Sequence, residues 1–278
     1  MNYKIFVLIL IFLLAGVAFL IQKEKLSKEK EIEIKEEFLK EEKTEKPEIT
    51  LISVYDNYQV NPELKTDWGF ATIIKTPKDL ILFDSGGNSE ILLFNMKKLG
   101  IDPKSINKVV ISHIHGDHLG GLEGFLKENS KVKVYIPLSF PDSTREMIKS
   151  YGAEVIDVSN FQKISDFVFT TGEFYGPQKE QSLILNLKKG IIVITGCAHP
   201  GISNIVKKAK ELMKKDEVYL VLGGFHYPPI STVKEFRKLK VKKVAPSHCT
   251  GNLVREAFKK EYKEDFIEYG AGKVIEIK

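Results

Sequence analysis

The chain has 278 residues, 43% of them hydrophobic, with 17 Phe and 10 Tyr, which suffices for one large core or two small ones. Its net charge of +5 is modest, and the lysines are scattered among glutamates. That excludes a basic stripe, and with it nucleic acid as the expected partner. Two cysteines, Cys197 and Cys249, exclude a disulfide framework, so stability must come from packing.

Residues 5–21, IFVLILIFLLAGVAFLI, carry no charged or polar side chain over 17 positions. At about 1.5 Å per residue the run nearly crosses a hydrocarbon layer of roughly 30 Å. An uncleaved membrane anchor is expected over residues 1–22 rather than a cleaved secretory signal, because no clear A-x-A site appears. Residues 23–46 hold eight Lys and nine Glu with too few apolar residues to bury a face, so they read as a solvated stalk that Pro47 ends. Residues 47–278 therefore carry the whole +5 and the folded domain. The side of the membrane stays open. Lys4 ahead of the span resembles an exported signal, the lysine-rich stalk favours retention under the positive-inside rule, and the reading leans to an extracytoplasmic domain.

After Pro47 the apolar pattern alternates between strand-like and helix-like stretches. Strands are expected at 49–55, 70–76 and 79–85, with Pro77-Lys78 turning between the last two. SEILLFNMKKLG reads as a helix, with Ser89 as N-cap and Gly100 as its stop. NKVVIS is a buried strand, then come ISHIHGDHLGG, a helix through LEGFLKEN, strand VKVYIP, a helix from Pro141, and short strands at 154–158 and 166–170. SLILNL and GIIVITG pair around Lys188-Lys189-Gly190. A helix from Ile202 to Lys214, strand EVYLVLGG, helix STVKEFRKLK, strand VKKVAP, helix NLVREAFKK and a last strand pair complete the chain. Two β-rich halves each carrying helices favour a layered α/β arrangement over an all-β sandwich.

Three of the six histidines, and an aspartate, fall within six positions at 113–118. His113 and His115 are two apart, so on extended backbone they point the same way. Asp117 and His118 follow Gly116, which can turn the chain. Four N/O donors on a short loop at a strand's end can converge on one small volume. Imidazole plus carboxylate suits Zn²⁺ first, with Fe²⁺ or Mn²⁺ also compatible. The other three histidines, His199, His226 and His248, each follow the end of an apolar strand: IIVITGCAH, LVLGGFH and KVAPSH.

H113-I-H115-G-D117-H118 resembles the H-x-H-x-D-H motif of the metallo-β-lactamase superfamily, and LILFDSGG with Asp84 looks like that superfamily's first motif. The resemblance spans residues 49–278. It implies an αββα sandwich with one or two divalent ions at one edge of the sheets. Metal ligands would be His113, His115, Asp117, His118, His199 and His248, with Asp117 and His118 also catalytic. Asp84, His226 and Cys197 would stand behind the ligands or touch substrate. DNY (56–58), KEQSLIL, TGCAHPGISNIV, LGGFH and PSHCTG are similar to a subgroup of metal-dependent hydrolases that includes an archaeal dihydropterin synthase activity, joining a pterin diphosphate to a ribofuranosyl-aminobenzene phosphate.

Two departures stand out. Ordinary members place G-H-T-P-G before the next strand and G-D at its end, whereas this chain has GPQKEQSL and GC. Cys197 thus replaces the usual bridging aspartate, and His199, two residues on, is placed to compensate. Both cysteines read more simply as buried inert thiols than as soft ligands.

The expected function is a metal-dependent hydrolase or transferase acting on a small molecule that carries phosphate or diphosphate. In this reading the Gly120-Gly121 or Gly223-Gly224 backbone either approaches that phosphate or simply makes tight turns. An iron redox protein on the same fold, or a binding module with a structural metal, are the alternatives. His115 where the di-iron relatives have Glu disfavours the first.

Overall fold

The computed structural model describes residues 48–277 and the isolated positions 22 and 25. The expected anchor and most of the expected stalk lie outside the described residues. No helix among the described residues is long and apolar enough to cross a membrane.

Strands β1 (Ile49–Asp56), β2 (Phe70–Lys75), β3 (Leu80–Phe83), β4 (Lys108–Val110), β5 (Lys133–Pro137), β6 (Glu154–Val158) and β13 (Val274–Ile277) form a seven-stranded sheet, ordered β13-β1-β2-β3-β4-β5-β6. A second, six-stranded sheet is ordered β12-β11-β10-β9-β8-β7. It contains β7 (Gln162–Ser165), β8 (Val168–Thr170), β9 (Leu183–Leu187), β10 (Gly190–Thr195), β11 (Val218–Gly224) and β12 (Val241–Ser247). The side-chain period of two sorts residues between faces. Phe70, Ile74, Ile81, Phe83 and Val110 join Leu183, Leu185, Ile192, Ile194, Leu220 and Leu222 in one buried layer between the sheets. Their strand neighbours Ala71, Ile73, Leu82, Val109 and Ile111 face the other way.

That outer face is covered by α1 (Ser89–Lys98), α3 (Leu122–Glu128) and α4 (Asp142–Ser150) through Leu92, Met96, Leu122, Phe125, Leu126 and Ile148. Between β4 and α3 lies a single helical turn, α2 (Gly116–Leu119). On the second sheet, α5 (Ile202–Met213) packs on β10, while α6 (Thr232–Lys238) and α7 (Asn252–Tyr262) pack on β12. Phe225, Phe236 and Phe258 form a ring cluster there, with centroids 5.1–5.7 Å apart. Each such fully buried side chain contributes on the order of 1.5–3 kcal/mol by leaving water. The layers are therefore helix, sheet, sheet, helix.

Local expectations differ from the structure in three places. Asn88 rather than Ser89 caps α1, its Oδ1 accepting from the N–H groups of Glu90 (2.8 Å) and Ile91 (3.3 Å). Either residue can cap; the chain starts its helical turn one position later than Asn88. The strand expected at 166–170 is a hairpin, β7 and β8, turning at Phe167 with φ 66°. The last strand pair is one strand, β13, because residues 263–265 form a short 3-10 turn and Phe266 makes only an isolated bridge to Val244.

What matters for function is direction. β3 and β4 run parallel, as do β10, β11 and β12, so their carboxyl ends share an edge in each sheet. Loops leaving such ends converge where ligands usually bind in α/β sheets.

At the opposite side of the fold Asp79, just ahead of β3, ties the sheets together. It accepts from Lys108 Nζ, Asn107 Nδ2 (2.8 Å) and Ser165 Oγ on β7. Burial alone would raise its carboxyl, but the Lys108 and Ser165 hydrogen bonds outweigh it and hold the group below its ordinary value. A depressed folded-state pKa stabilises the fold above the ordinary carboxylate range and loses that contribution as pH falls through the folded value. Asp79→Asn is therefore expected to cost about 1–3 kcal/mol near neutrality. In paired denaturant melts the gap from wild type should shrink below pH ~4. A gap that is flat from neutral to acid pH would contradict the assignment.

Candidate metal centre

The site is built outward from Asp84, which ends β3. It sits fully buried with φ 60°, a left-handed backbone that few non-glycine residues adopt. Its Oδ1 accepts the Ser112 N–H (2.6 Å), and its Oδ2 accepts both Ser112 Oγ–H (2.8 Å) and His118 Nδ1–H (2.7 Å). Three donors on one carboxylate fix the chain leaving β4 against the chain leaving β3. Ser85 repeats the stitch, its N–H and Oγ–H both donating to the His118 carbonyl at 2.8 and 2.9 Å.

These bonds also fix tautomers. His118 spends its Nδ1 proton on Asp84, so its Nε2 carries a lone pair. Ser112 Oγ, having given its proton to Asp84, accepts from His113 Nδ1–H at 2.8 Å, which leaves His113 Nε2 bare. His248 Nδ1–H donates to Asn57 Oδ1 at 3.0 Å. His199 Nδ1–H donates to Glu180 Oε2 at 2.9 Å. In all four rings the proton is directed away and the lone pair inward.

The inward atoms crowd together. His118 Nε2 lies 3.2 Å from His248 Nε2, 3.2 Å from Cys197 Sγ and 3.5 Å from Asp117 Oδ2, and Asp117 Oδ2 is 3.2 Å from His248 Nε2. His113 Nε2 faces His115 Nδ1 at 3.1 Å, and the His199 ring lies 4.6 Å from that of His113 and 4.9 Å from that of His115. Asp117, His118, Cys197 and His248 thus form one group whose donor atoms are mutually within 4.8 Å, and His113, His115 and His199 form a second. Lone pairs facing each other at such distances repel unless a cation sits among them. Two groups of N, O and S donors suit a pair of divalent ions, with Zn²⁺ matching the donor chemistry.

The electrostatics agree. Burial would lower His118, yet the Asp84 and Asp117 carboxylates raise it to about 10. Burial would raise Asp117, yet hydrogen bonds from His118 and His248 hold it far below the carboxylate range. A field that strong for a proton favours a metal cation equally. Without a cation beside it, the Cys197 S–H is held on by its hydrogen bond to Cys249 Sγ and by burial, which push this thiol well above its ordinary value. A metal ion is what lets a buried thiol ionise.

The six metal-ligand residues read from the sequence lie in these two groups. Asp84 stands behind His118, on the far side of that ring from the donor atoms. Cys197, expected as an inert thiol or a background residue, presents its sulfur among the donor atoms. His226 stands at the exposed rim with φ 52°, its ring 4.3 Å from that of His199.

Glu180 and Asn57 escaped notice as individual positions. Glu180 is 1% exposed and accepts the N–H groups of Cys197 (3.0 Å), Ala198 (2.9 Å) and His199 (2.9 Å) besides the His199 ring. Burial would raise its carboxyl, but the His199 bond, His113 and those N–H groups bring it to about 2. Both residues lie in stretches that carried the resemblance, KEQSLIL and DNY, so only their roles were illegible. The glycine pairs serve packing. A Cβ at Gly121 would sit 2.0 Å from Ser85 O, and one at Gly223 2.1 Å from Thr195 O, which leaves no room there for a phosphate.

Comparison with known proteins gives the same frame. The sequence profile of the metallo-beta-lactamase superfamily matches residues 69–248. The 7,8-dihydropterin-6-methyl-4-(beta-D-ribofuranosyl)-aminobenzene-5'-phosphate synthase of Methanocaldococcus jannaschii is 34% identical over 248 residues, covering 71% of this chain and 84% of that protein. Among solved structures, a metal-dependent hydrolase of the beta-lactamase superfamily superposes with TM-score 0.67 at 26% identity, covering 82% of this chain and 99% of the other. A diphosphatase from the PhnP family superposes with TM-score 0.58 at 14% identity over 83% of this chain and 97% of its own, a likeness of fold alone. With its two stacked sheets, its strand-end donors and these matches, the chain belongs to the metallo-beta-lactamase superfamily.

Proposed function

We propose that this enzyme is a hydrolase or transferase acting on a phosphate- or diphosphate-bearing small molecule, with chemistry of the kind named for its M. jannaschii relative. The observation that carries the reading is the pair of donor groups, His113/His115/His199 and Asp117/His118/Cys197/His248, side by side at one sheet edge. Divalent ions held there supply Lewis acidity towards a phosphoryl oxygen and acidify water at neutral pH. Asp84, Ser112, Asn57 and Glu180 hold the four inner imidazoles in their donor tautomers before any ligand arrives, so no reorganisation is needed at the moment of reaction.

The rim is suited to a substrate with a flat ring. Trp68 is 47% exposed, with its ring 4.8 Å from that of His248, and Tyr227 is 64% exposed next to His226. His226, close to His199 and open to solvent, is placed to donate or accept a proton at the substrate. A closed structural metal is disfavoured because His115 and His226 both reach solvent. Membrane tethering through residues 5–21 belongs to the same reading, and sedimentation of the full chain with membranes checks it.

The test is a panel of phosphate monoesters, phosphodiesters and diphosphate esters, including a pterin diphosphate with and without an aminobenzene acceptor. Activity should vanish on chelation, return with Zn²⁺ and be absent in His115→Ala. Turnover that survives both chelation and His115→Ala would end the proposal.

A further inference from the structure

Among the described residues, Cys197 belongs to two of three donor groups, Asp117/His118/Cys197/His248 and Cys197/His199/His226, and His199 in turn belongs to His113/His115/His199, so the sulfur links the two sides of the site. Its side chain is held as a ligand's would be. Glu180 fixes the backbone on both sides of Ala198, whose φ of 67° lets Cys197 and His199 turn inward together. A backbone kept in that sparsely populated region is a mark of a functional constraint. The Cys197 sulfur lies 3.2 Å from His118 Nε2, a nitrogen whose ring has already committed its proton to Asp84. Cys249 adds a second sulfur 3.3 Å from Cys197 Sγ, placed to donate its S–H once Cys197 is a thiolate. A sulfur and an imidazole nitrogen held that close, with Asp117 and His248 beside them, are grouped as donor atoms around a cation are.

We propose that Cys197 binds metal as a thiolate shared between the two donor groups, with Cys249 as an S–H donor that tunes it and does not itself ligate. This rests on the proposed metal-dependent reading of the site. Binding breaks the Cys197 S–H bond, releases that proton to solvent and forms sulfur–metal bonds, with no oxidation. A thiolate in the shared position makes the site softer than an all-N/O pair. It should select Zn²⁺, Co²⁺ or Cd²⁺ over Mn²⁺ or Mg²⁺.

Cobalt reconstitution of the metal-stripped full chain tests this without reference to turnover. Wild type is expected to show a near-ultraviolet sulfur-to-cobalt charge-transfer band. Cys197→Asp and Cys197→Ser should take up cobalt and lack the band. Cys249→Ala should keep it, moved to lower energy by loss of the hydrogen bond to sulfur. Cobalt uptake by wild type with no such band overturns the proposal while leaving the metal enzyme intact, and a band that survives in Cys197→Asp assigns the sulfur to Cys249 instead. Failure of wild type to bind cobalt or zinc at all would remove both this inference and the proposed function. If the Cys197 variants do not fold, as judged by circular dichroism, the wild-type and Cys249→Ala spectra still decide: no band in wild type, or loss of the band in Cys249→Ala, overturns the proposal.

Discussion

Stripping the protein with a chelator is expected to lower its melting temperature by about 8–16 °C relative to protein in Zn²⁺ at roughly 1,000 times the dissociation constant. The arithmetic is that of linkage. A ligand bound only by the folded state at that excess adds about 4 kcal/mol, and a domain of this size shifts by about 2–4 °C per kcal/mol. The structure gives a reason for the stripped state to be the weak one. Without a cation, the donor atoms of His118 and His248 meet at 3.2 Å and those of His113 and His115 at 3.1 Å with at most one proton between each pair, and three of these four rings are fully buried or nearly so. The proton that His118 takes up readily in place of an ion, its pKa raised to about 10 by Asp84 and Asp117 against burial, has no counterpart at His113, which burial and the neighbouring imidazoles hold well below its ordinary value. Differential scanning calorimetry of stripped and reloaded protein reads the effect. Equal melting temperatures in the two states would mean that these rings do not meet around an ion.

The order of strands and helices was largely legible because each depends on local periodicity. FATII is short, β-branched and almost wholly apolar, and IIVITG and LVLGG are too apolar to be anything but buried strands. Errors fell where two neighbours were equally able to play one part, as with Asn88 and Ser89 at the start of α1. The histidines were legible because each interrupts an apolar run at a glycine or a turn, an odd place for a polar ring unless something needs it there. Asn57 and Glu180 gave no such signal of their own. An amide after a strand and a glutamate beside a lysine in a polar loop look like solvent-facing residues, and only the folded chain brings Glu180 under the 197–199 turn. Cys197 was visible as a departure but not as a ligand. Its role depends on His118, 79 positions away, ending 3.2 Å from its sulfur, which no local pattern records. Sequence therefore spoke clearly about which residues leave strand ends and faintly about which groups hold them in place.

The sharpest consequence of the tautomer network concerns Asp84. Asp84→Asn is expected to keep the fold and lose metal affinity by about 10–100-fold, a loss typical when the partner behind a ligating histidine is changed. The substitution is isosteric, and asparagine tolerates the left-handed backbone that φ 60° demands, so it adds no strain. What changes is the direction of one hydrogen bond. An amide nitrogen in place of Oδ2 becomes a donor towards His118 Nδ1, which must then accept and carry its proton on Nε2 instead. That proton points at Asp117, Cys197 and His248, where a metal belongs. If the amide is flipped, its oxygen accepts from His118 but its nitrogen then confronts the Ser112 N–H, a buried donor left unpaired at about 1–3 kcal/mol. Either way the cost falls in the range that a tenfold to hundredfold weakening requires, since about 1.4 kcal/mol is a factor of ten. The variant discriminates because charge loss alone and tautomer reversal differ in their salt response. If the carboxylate acted only as a distant charge, the deficit would change with ionic strength along with other surface electrostatics. A tautomer held wrong by a hydrogen bond between fully buried groups will not respond to salt. Equilibrium dialysis of zinc against wild type and Asp84→Asn at two ionic strengths separates the two. An Asp84→Asn protein that binds zinc as tightly as wild type would show that His118 is not held by Asp84 in the way its 2.7 Å bond implies.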